Sequence, residues 1–226
     1  MIKQSRIFEV FESEERGRRR LYTQNLVIGR TVYGEGLVKQ DDAEYREWDA
    51  SKSKLASTIL KGSPNVGIRK GNVVLYLGSA SGTTVSHVSD MVGSDGFVFA
   101  VDIAPRVMRD LIFLCYERKN IAPILADSNK VDILKERVSA VDALYQDVAQ
   151  KNQVEIFLKN VNLFLKEDGY GLLAVKARSI DVTKQPKQIF KLVKEELEKQ
   201  MEIIDFRDLH PFQKDHCMFI CKKKIS

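Results

Sequence analysis

The stretch from Val73 to Asp102, VVLYLGSASGTTVSHVSDMVGSDGFVFAVD, leaves the chain little choice of architecture. Val73–Leu77 is an apolar run of strand length that stops at Gly78-Ser79-Ala80-Ser81-Gly82, which reads as a buried parallel strand running into a turn of small residues. Thr83-Thr84 then opens a helix whose first-turn N–H groups lack intrahelical partners, so turn and helix end form a polar cradle. A second apolar strand, Phe97 to Val101, ends in Asp102. An acidic residue about 20 residues beyond a glycine turn, at the tip of the next strand, is placed to hydrogen-bond a ribose hydroxyl. A nucleoside-containing cofactor is therefore expected. Gly78-x-x-x-Gly82 lacks the middle glycine of the dinucleotide fingerprint G-x-G-x-x-G, with Ala80 in its place. That favours S-adenosylmethionine, which has no pyrophosphate to cradle, over NAD.

The segments that follow repeat the unit. A helix is expected from Pro105 to about Asn120, then a strand Ile121–Ala126 ending in Asp127-Ser128. The next strand, Ala140–Tyr145, ends in Gln146-Asp147-Val148-Ala149-Gln150, and a helix spans about Lys151 to Lys166. Gly169–Lys176 is the fifth strand, Pro186–Gln200 a helix, and Ile203–Leu209 with Cys217–Cys221 an antiparallel hairpin. Alternation of this kind describes an open α/β sheet, Rossmann-like and mainly parallel, with ligands outside the strand tips. Successive tips carry Asp102, Asp127, Asp147 and Lys176.

Upstream the texture changes, and residues 1–50 are expected to form a small β-rich domain beside a domain spanning 51–226. Arg6–Glu12 and Arg20–Thr23 alternate, Leu26–Arg30 and Val32–Tyr33 continue the pattern, and Glu14–Arg20 makes a charged turn around Gly17. Asp49 or Ser51 can cap a helix that stops at Gly62. Composition excludes other classes: 44% hydrophobic and 30% charged residues, without an apolar run of membrane-spanning length or a signal-peptide core, point to a cytoplasmic protein. Three cysteines and three histidines, with no CxxC pair, argue against a zinc site or a disulfide frame. A net charge of +5 is compatible with a polyanionic partner but is weak evidence by itself.

Longer motifs narrow the reading. Gly78–Asp90 (GSASGTTVSHVSD), Asp147–Gln150 (DVAQ), Gly169-Tyr170-Gly171 through Ala174–Thr183 (AVKARSIDVT), and Pro211–His216 (PFQKDH) together resemble the archaeal fibrillarin-like proteins. The resemblance spans nearly the whole chain. It implies the class I S-adenosylmethionine-dependent methyltransferase fold, with a seven-stranded sheet and a small N-terminal β-domain, and methylation of ribose 2′-hydroxyls in rRNA and tRNA. It implies a box C/D guide RNA, a Nop-domain scaffold protein and a kink-turn-binding subunit related to a ribosomal protein as partners. The family's catalytic set carries over to Lys54, Asp147, Lys176 and His216. Its cofactor contacts carry over to Gly78, Ala80, Gly82, Thr83, Thr84, Asp102, Ile103, Asp127, Ser128, Asp147, Val148, Ala149 and Gln150. Asp102 stands where relatives often have glutamate, which keeps the carboxylate and shortens its reach. A stand-alone methyltransferase of the heat-shock type would have glutamate in place of His216. The alternative from another class is a non-catalytic RNA-binding or scaffold subunit on the same fold.

Methyl transfer from a sulfonium is an in-line displacement, so positioning carries much of the work and a base near the ribose hydroxyl helps. Lys176 is the candidate base, with Lys54 as the neighbouring cation that would favour its neutral form. Asp147 would oppose that if it paired with Lys176, and is expected to orient the lysine and the methyl-bearing end of the cofactor. His216 would position the ribose.

Overall fold

The structure, a computed structural model, describes residues 1–224. The chain opens with β1 (Lys3–Gln4), β2 (Phe11–Glu15), β3 (Arg18–Gln24), β4 (Leu37–Gln40) and β5 (Ala43–Trp48), paired antiparallel in the order β1-β2-β3-β5-β4. Glu15 pairs with Arg18 across a two-residue hairpin loop, and Arg16 (φ 51°) and Gly17 (φ 72°) both take the left-handed backbone such a loop needs. The turn expected around Gly17 is therefore present. The strand expected over Arg6–Glu12 begins only at Phe11, and Leu26–Arg30 with Val32–Tyr33 is loop. Carboxylates replace the missing strand partner for that loop. Asp90 Oδ1 accepts from Leu26 N–H, Glu44 Oε1 from Gly29 N–H, and Glu35 from Val32 and Tyr33 N–H, all within 3.1 Å.

α1 (Lys54–Leu60) starts one turn later than Asp49 or Ser51 would allow. Ser53 is its N-cap, with Oγ accepting from Ala56 N–H at 3.3 Å, whereas Asp49 accepts from the N–H and hydroxyl of Ser51 in a local turn. Such a cap contributes about 1 kcal/mol. The helix buries Leu55, Ala56 and Ile59.

There follow β6 (Val73–Leu77), α2 (Thr83–Val92), β7 (Phe97–Asp102), α3 (Pro105–Glu117), β8 (Ile121–Leu125), α4 (Val131–Lys135) and β9 (Val141–Gln146). The chain finishes with α5 (Gln153–Phe164), β10 (Leu165–Lys176), α6 (Ala177–Ile180), α7 (Pro186–Leu197), β11 (Met201–Asp208) and β12 (His216–Lys223). Seven strands form one sheet in the order β11-β12-β10-β9-β6-β7-β8. β12 runs antiparallel to both β10 and β11, and the remaining pairs are parallel. This is the Rossmann-like, mainly parallel α/β sheet with an antiparallel edge hairpin that the alternation implied. Because both faces are covered, its central strands are apolar on both sides. Val74, Tyr76, Ala143, Leu172 and Met218 face α1, α2 and α3, and Leu75, Leu77, Leu144, Leu173 and Phe219 face α4, α5 and α7.

The first sheet shares the former layer: Ile7, Val10, Leu21 and Trp48 lie in one apolar cluster with Leu55, Val85 and Tyr76. Beside that cluster Arg46 binds Glu35 at 2.6 Å and Asp90 at 2.8 Å, and Arg118 binds Asp90 at 2.6 Å, with every one of these side chains at most 2% exposed. The Thr23 hydroxyl donates to Asp90 and also meets His87 Nδ1, both at 2.8 Å, and the His87 ring stacks on Trp48. Among the described residues no helix is long and apolar enough to cross a membrane.

Candidate active site

Four side chains meet at the carboxyl end of the sheet. Asp147 follows β9, its N–H held by Leu77 C=O at 2.8 Å, and Lys54, the first residue of α1, donates from Nζ to Asp147 Oδ2 at 2.7 Å. Both side chains are partly exposed, at 20% and 25%. Lys176 ends β10 and His216 begins β12, and they are directly opposed in the ladder. Alternation puts both on the α1 face, since Ala174 and Met218 point there, two residues along each strand. Lys54 and Asp147 reach the same face.

Burial holds the His216 imidazole below the ordinary histidine value. Its bond to Lys214 C=O and the Asp147 carboxylate act the other way, and the ammoniums of Lys54 and Lys176 lower it further. The ring is therefore neutral at pH 7. A carbonyl only accepts, so the 2.6 Å contact between Nδ1 and Lys214 C=O places the proton on Nδ1 and leaves the Nε2 lone pair free. The Lys176 ammonium makes no hydrogen bond or ion pair among the described residues; the pairing of Asp147 with Lys176 that the sequence left open is instead a pairing with Lys54.

Next to this cluster lies a cavity of about 280 Å³ lined by Gly78, Ala80, Asp102, Ile103, Ser128, Asp147, Val148, Ala149 and Gln150. Concavities of about 590 Å³ between α5 and α7 and about 480 Å³ between the first sheet and Phe212 are larger. Neither contains the tip of a parallel strand, where ligands of such sheets bind, so position rather than size identifies the site. Nine of the residues expected to touch the cofactor line this cavity. Asp127 flanks it beside Ser128, with one carboxylate oxygen accepting from Asn129 N–H.

Gly82, Thr83 and Thr84 do not line it. Gly82, at φ 100°, holds a backbone conformation that L side chains rarely adopt, and a Cβ there would also crowd the Leu114 side chain of α3 at 2.5 Å. Thr83 faces a separate concavity with Tyr33 and Phe113, and the Thr84 hydroxyl donates to Ser53 Oγ at 3.0 Å. Gly78, at φ 83°, is required for a comparable reason, since a Cβ would lie 2.3 Å from Asp147 C=O; its absence lets β6 and the Asp147 segment close on each other.

The lining suits a nucleoside. Asp102 accepts from Ala80 N–H at 2.8 Å through Oδ2 and from Ala104 N–H at 2.9 Å through Oδ1, and a carboxylate so engaged retains lone pairs for a ribose diol. The next residue, Ile103, is 56% exposed, an uncovered apolar surface suited to a base. Two residues that sequence reasoning missed hold the frame. Ser53 was legible as a serine just before an apolar-periodic run. Gln153 carried no local signal: wholly buried, its Oε1 accepts from Lys176 N–H at 3.2 Å while Nε2 donates to Gln150 C=O at 2.9 Å. It ties the 147–150 loop to the strand that ends in Lys176.

The family model for fibrillarin matches residues 1–225. The chain belongs to the fibrillarin family. Among its fibrillarin relatives, the fibrillarin-like rRNA/tRNA 2′-O-methyltransferase of Methanocaldococcus jannaschii is 49% identical over 222 residues, covering 97% of this chain and 96% of its own. A solved Aeropyrum pernix fibrillarin in complex with natively bound S-adenosyl-L-methionine superposes with a TM-score of 0.90 at 43% identity, covering 98% of this chain and 97% of that one. The fibrillarin of a solved fibrillarin/Nop5p complex superposes with a TM-score of 0.87 at 39% identity, covering 98% of this chain and all of that one.

Proposed function

We propose that the protein transfers a methyl group from S-adenosylmethionine to ribose 2′-hydroxyls of rRNA and tRNA, as the catalytic subunit of a box C/D guide-RNA ribonucleoprotein in the cytoplasm. The observation that carries the reading is the placement of Lys54, Asp147, Lys176 and His216 on one face, at the mouth of a cavity lined by the Asp102 carboxylate and the exposed Ile103. Family membership supports it, as do a relative that binds this cofactor natively and relatives named for this activity.

When bound, S-adenosylmethionine supplies a methyl group already activated as part of a sulfonium. Asp102 would accept from the ribose of the cofactor, Ile103 would cover its base, and the 147–150 loop would wall its other side. Ala80, Asp127 and Ser128 complete the rim. Lys54 fixes the Asp147 carboxylate beside the cavity, and that negative charge orients a cationic centre. Lys176, through its amine lone pair, takes the proton of the attacking hydroxyl. His216, neutral with a free Nε2 lone pair, accepts from a ribose hydroxyl and aligns it.

The partners proposed are the guide RNA with its target, a Nop-domain scaffold and a kink-turn-binding subunit. A relative assembles with Nop5p, which supports the second of these. The experiment is calorimetry of S-adenosylmethionine on the isolated chain, followed by transfer of labelled methyl to a guide-matched RNA with and without partners. Binding followed by partner-dependent 2′-O-methylation is expected. Cofactor binding without transfer in the complete particle would favour the non-catalytic reading.

A further inference from the structure

The ladder between β10 and β12 ends at the pair Lys176 and His216. The ladder holds that rung from one side only, and beyond it both segments leave the sheet. One backbone bond extends the contact, from Ala177 N–H to Asp215 C=O at 3.0 Å. Beside it the Arg178 guanidinium donates from Nε to Asp215 Oδ2 at 3.2 Å and from Nη1 to Val182 C=O at 3.0 Å. Asp215 stands in left-handed backbone, at φ 59°. Aspartate tolerates that region chiefly because its short polar side chain can be engaged locally. Its neighbours on either side are the ring of His216 and Lys214, whose carbonyl holds that ring.

We propose that Arg178 and Asp215 are positioning residues for methyl transfer, their ion pair tying the segment that leaves Lys176 to the turn that presents His216. The pair thereby braces the open end of that rung and steadies the orientation of the two groups that face the ribose. This rests on the roles proposed for Lys176 and His216. Neither Arg178 nor Asp215 lines the cofactor cavity. Side-chain exposures of 48% and 23% make the pair a weak contributor to global stability, which separates positioning from folding.

The test uses Arg178→Ala, Asp215→Ala, the double variant and Arg178→Lys in single-turnover methylation at saturating cofactor. Each alanine variant should slow transfer roughly ten- to a hundredfold, the scale of a misplaced reactant, with cofactor Kd and melting temperature unchanged. The double variant should be no slower than the slower single one, because both remove the same contact. Arg178→Lys should recover part of the rate, keeping the charge and losing the fork. A second readout is the proton NMR titration of His216 in the isolated chain. Lys54 from α1, Asp147 after β9 and Lys176 from β10 face this ring and are unaltered in the variants, so a midpoint that rises toward the ordinary histidine value reports a ring released to solvent. Wild-type rates in both single variants, additive losses, or a rate loss that follows cofactor affinity would overturn the assignment. An inactive wild type would remove the catalytic reading and this assignment with it, and is seen in the same assay before any variant is measured.

Discussion

Arg46 and Arg118 share Asp90 in a cluster closed to solvent, whereas Lys54 and Asp147 pair at the mouth of a cavity with Lys176 beside them and, among the described residues, unpartnered. The same residue types serve opposite ends. In the closed cluster Glu35 and the Thr23 hydroxyl complete the bonding, so two guanidiniums meet two carboxylates and no charge is left over. It joins the first sheet to α2 and α3, the elements that carry Asp90 and Arg118 or lead into them. Around His216 the balance is incomplete, since two ammoniums and a neutral imidazole face one carboxylate. A saturated buried cluster specifies an arrangement; an unsaturated, half-exposed one retains reactivity.

Breaking the closed cluster should produce the largest effect on stability. Asp90→Ala leaves the buried Arg118 guanidinium without a carboxylate and Arg46 with Glu35 alone, and should cost about 3–5 kcal/mol in urea unfolding. A loss below about 1 kcal/mol would mean that water or a neighbour replaces the carboxylate. At the cavity, Asp102→Ala removes the acceptor of Ala80 and Ala104 N–H together with the proposed ribose contact. Cofactor affinity should fall by about 1.5–3 kcal/mol, the range for bonds to a charged group. Asp127→Ala, at the flank, should weaken binding less, and calorimetry that reversed the order would shift the ribose contact to the next strand tip.

The pH dependence sharpens the contrast further. Burial, with Arg46 and Arg118 nearby, holds the His87 imidazole well below the ordinary histidine value. Its folded form resists a proton that the unfolded chain accepts below about pH 6.5, so stability is full above that pH and declines as pH falls, by up to about 1.4 kcal/mol per pH unit. His87→Gln should flatten this decline between pH 7 and 5.5. An unchanged slope would place the titrating group elsewhere. The smallest effect is expected at Arg19 and Glu12, an exposed pair on the β2–β3 hairpin. Arg19→Ala should change stability by about 0.5 kcal/mol or less.

The two regions were not equally legible in the sequence. Parallel strands covered on both faces appear as continuous apolar runs, so β6, β7, β8 and β9 were located to within a residue or two, and their charged tips with them. Leu26–Tyr33 misled because its alternation resembles a strand, while Glu35, Glu44 and Asp90 supply its hydrogen bonds from distant positions. No local pattern announces a carboxylate that acts as a hydrogen-bond hub. The partner of Asp147 was hidden for the same reason, since Lys54 lies 93 residues away and Lys176 was an equally reasonable choice until the geometry decided it. Gln153 was invisible because a buried amide at a helix start reads as surface polarity.

The central claim is that charge left unpaired at the strand tips is retained for chemistry and not for folding. Lys176→Ala tests it when urea unfolding and single-turnover 2′-O-methylation at saturating cofactor are measured on the same protein. The account predicts stability within about 0.5 kcal/mol of wild type, as for a surface charge, and a rate lowered on the order of a hundredfold, as for a lost general base. A variant that loses stability while methylating at the wild-type rate would contradict it.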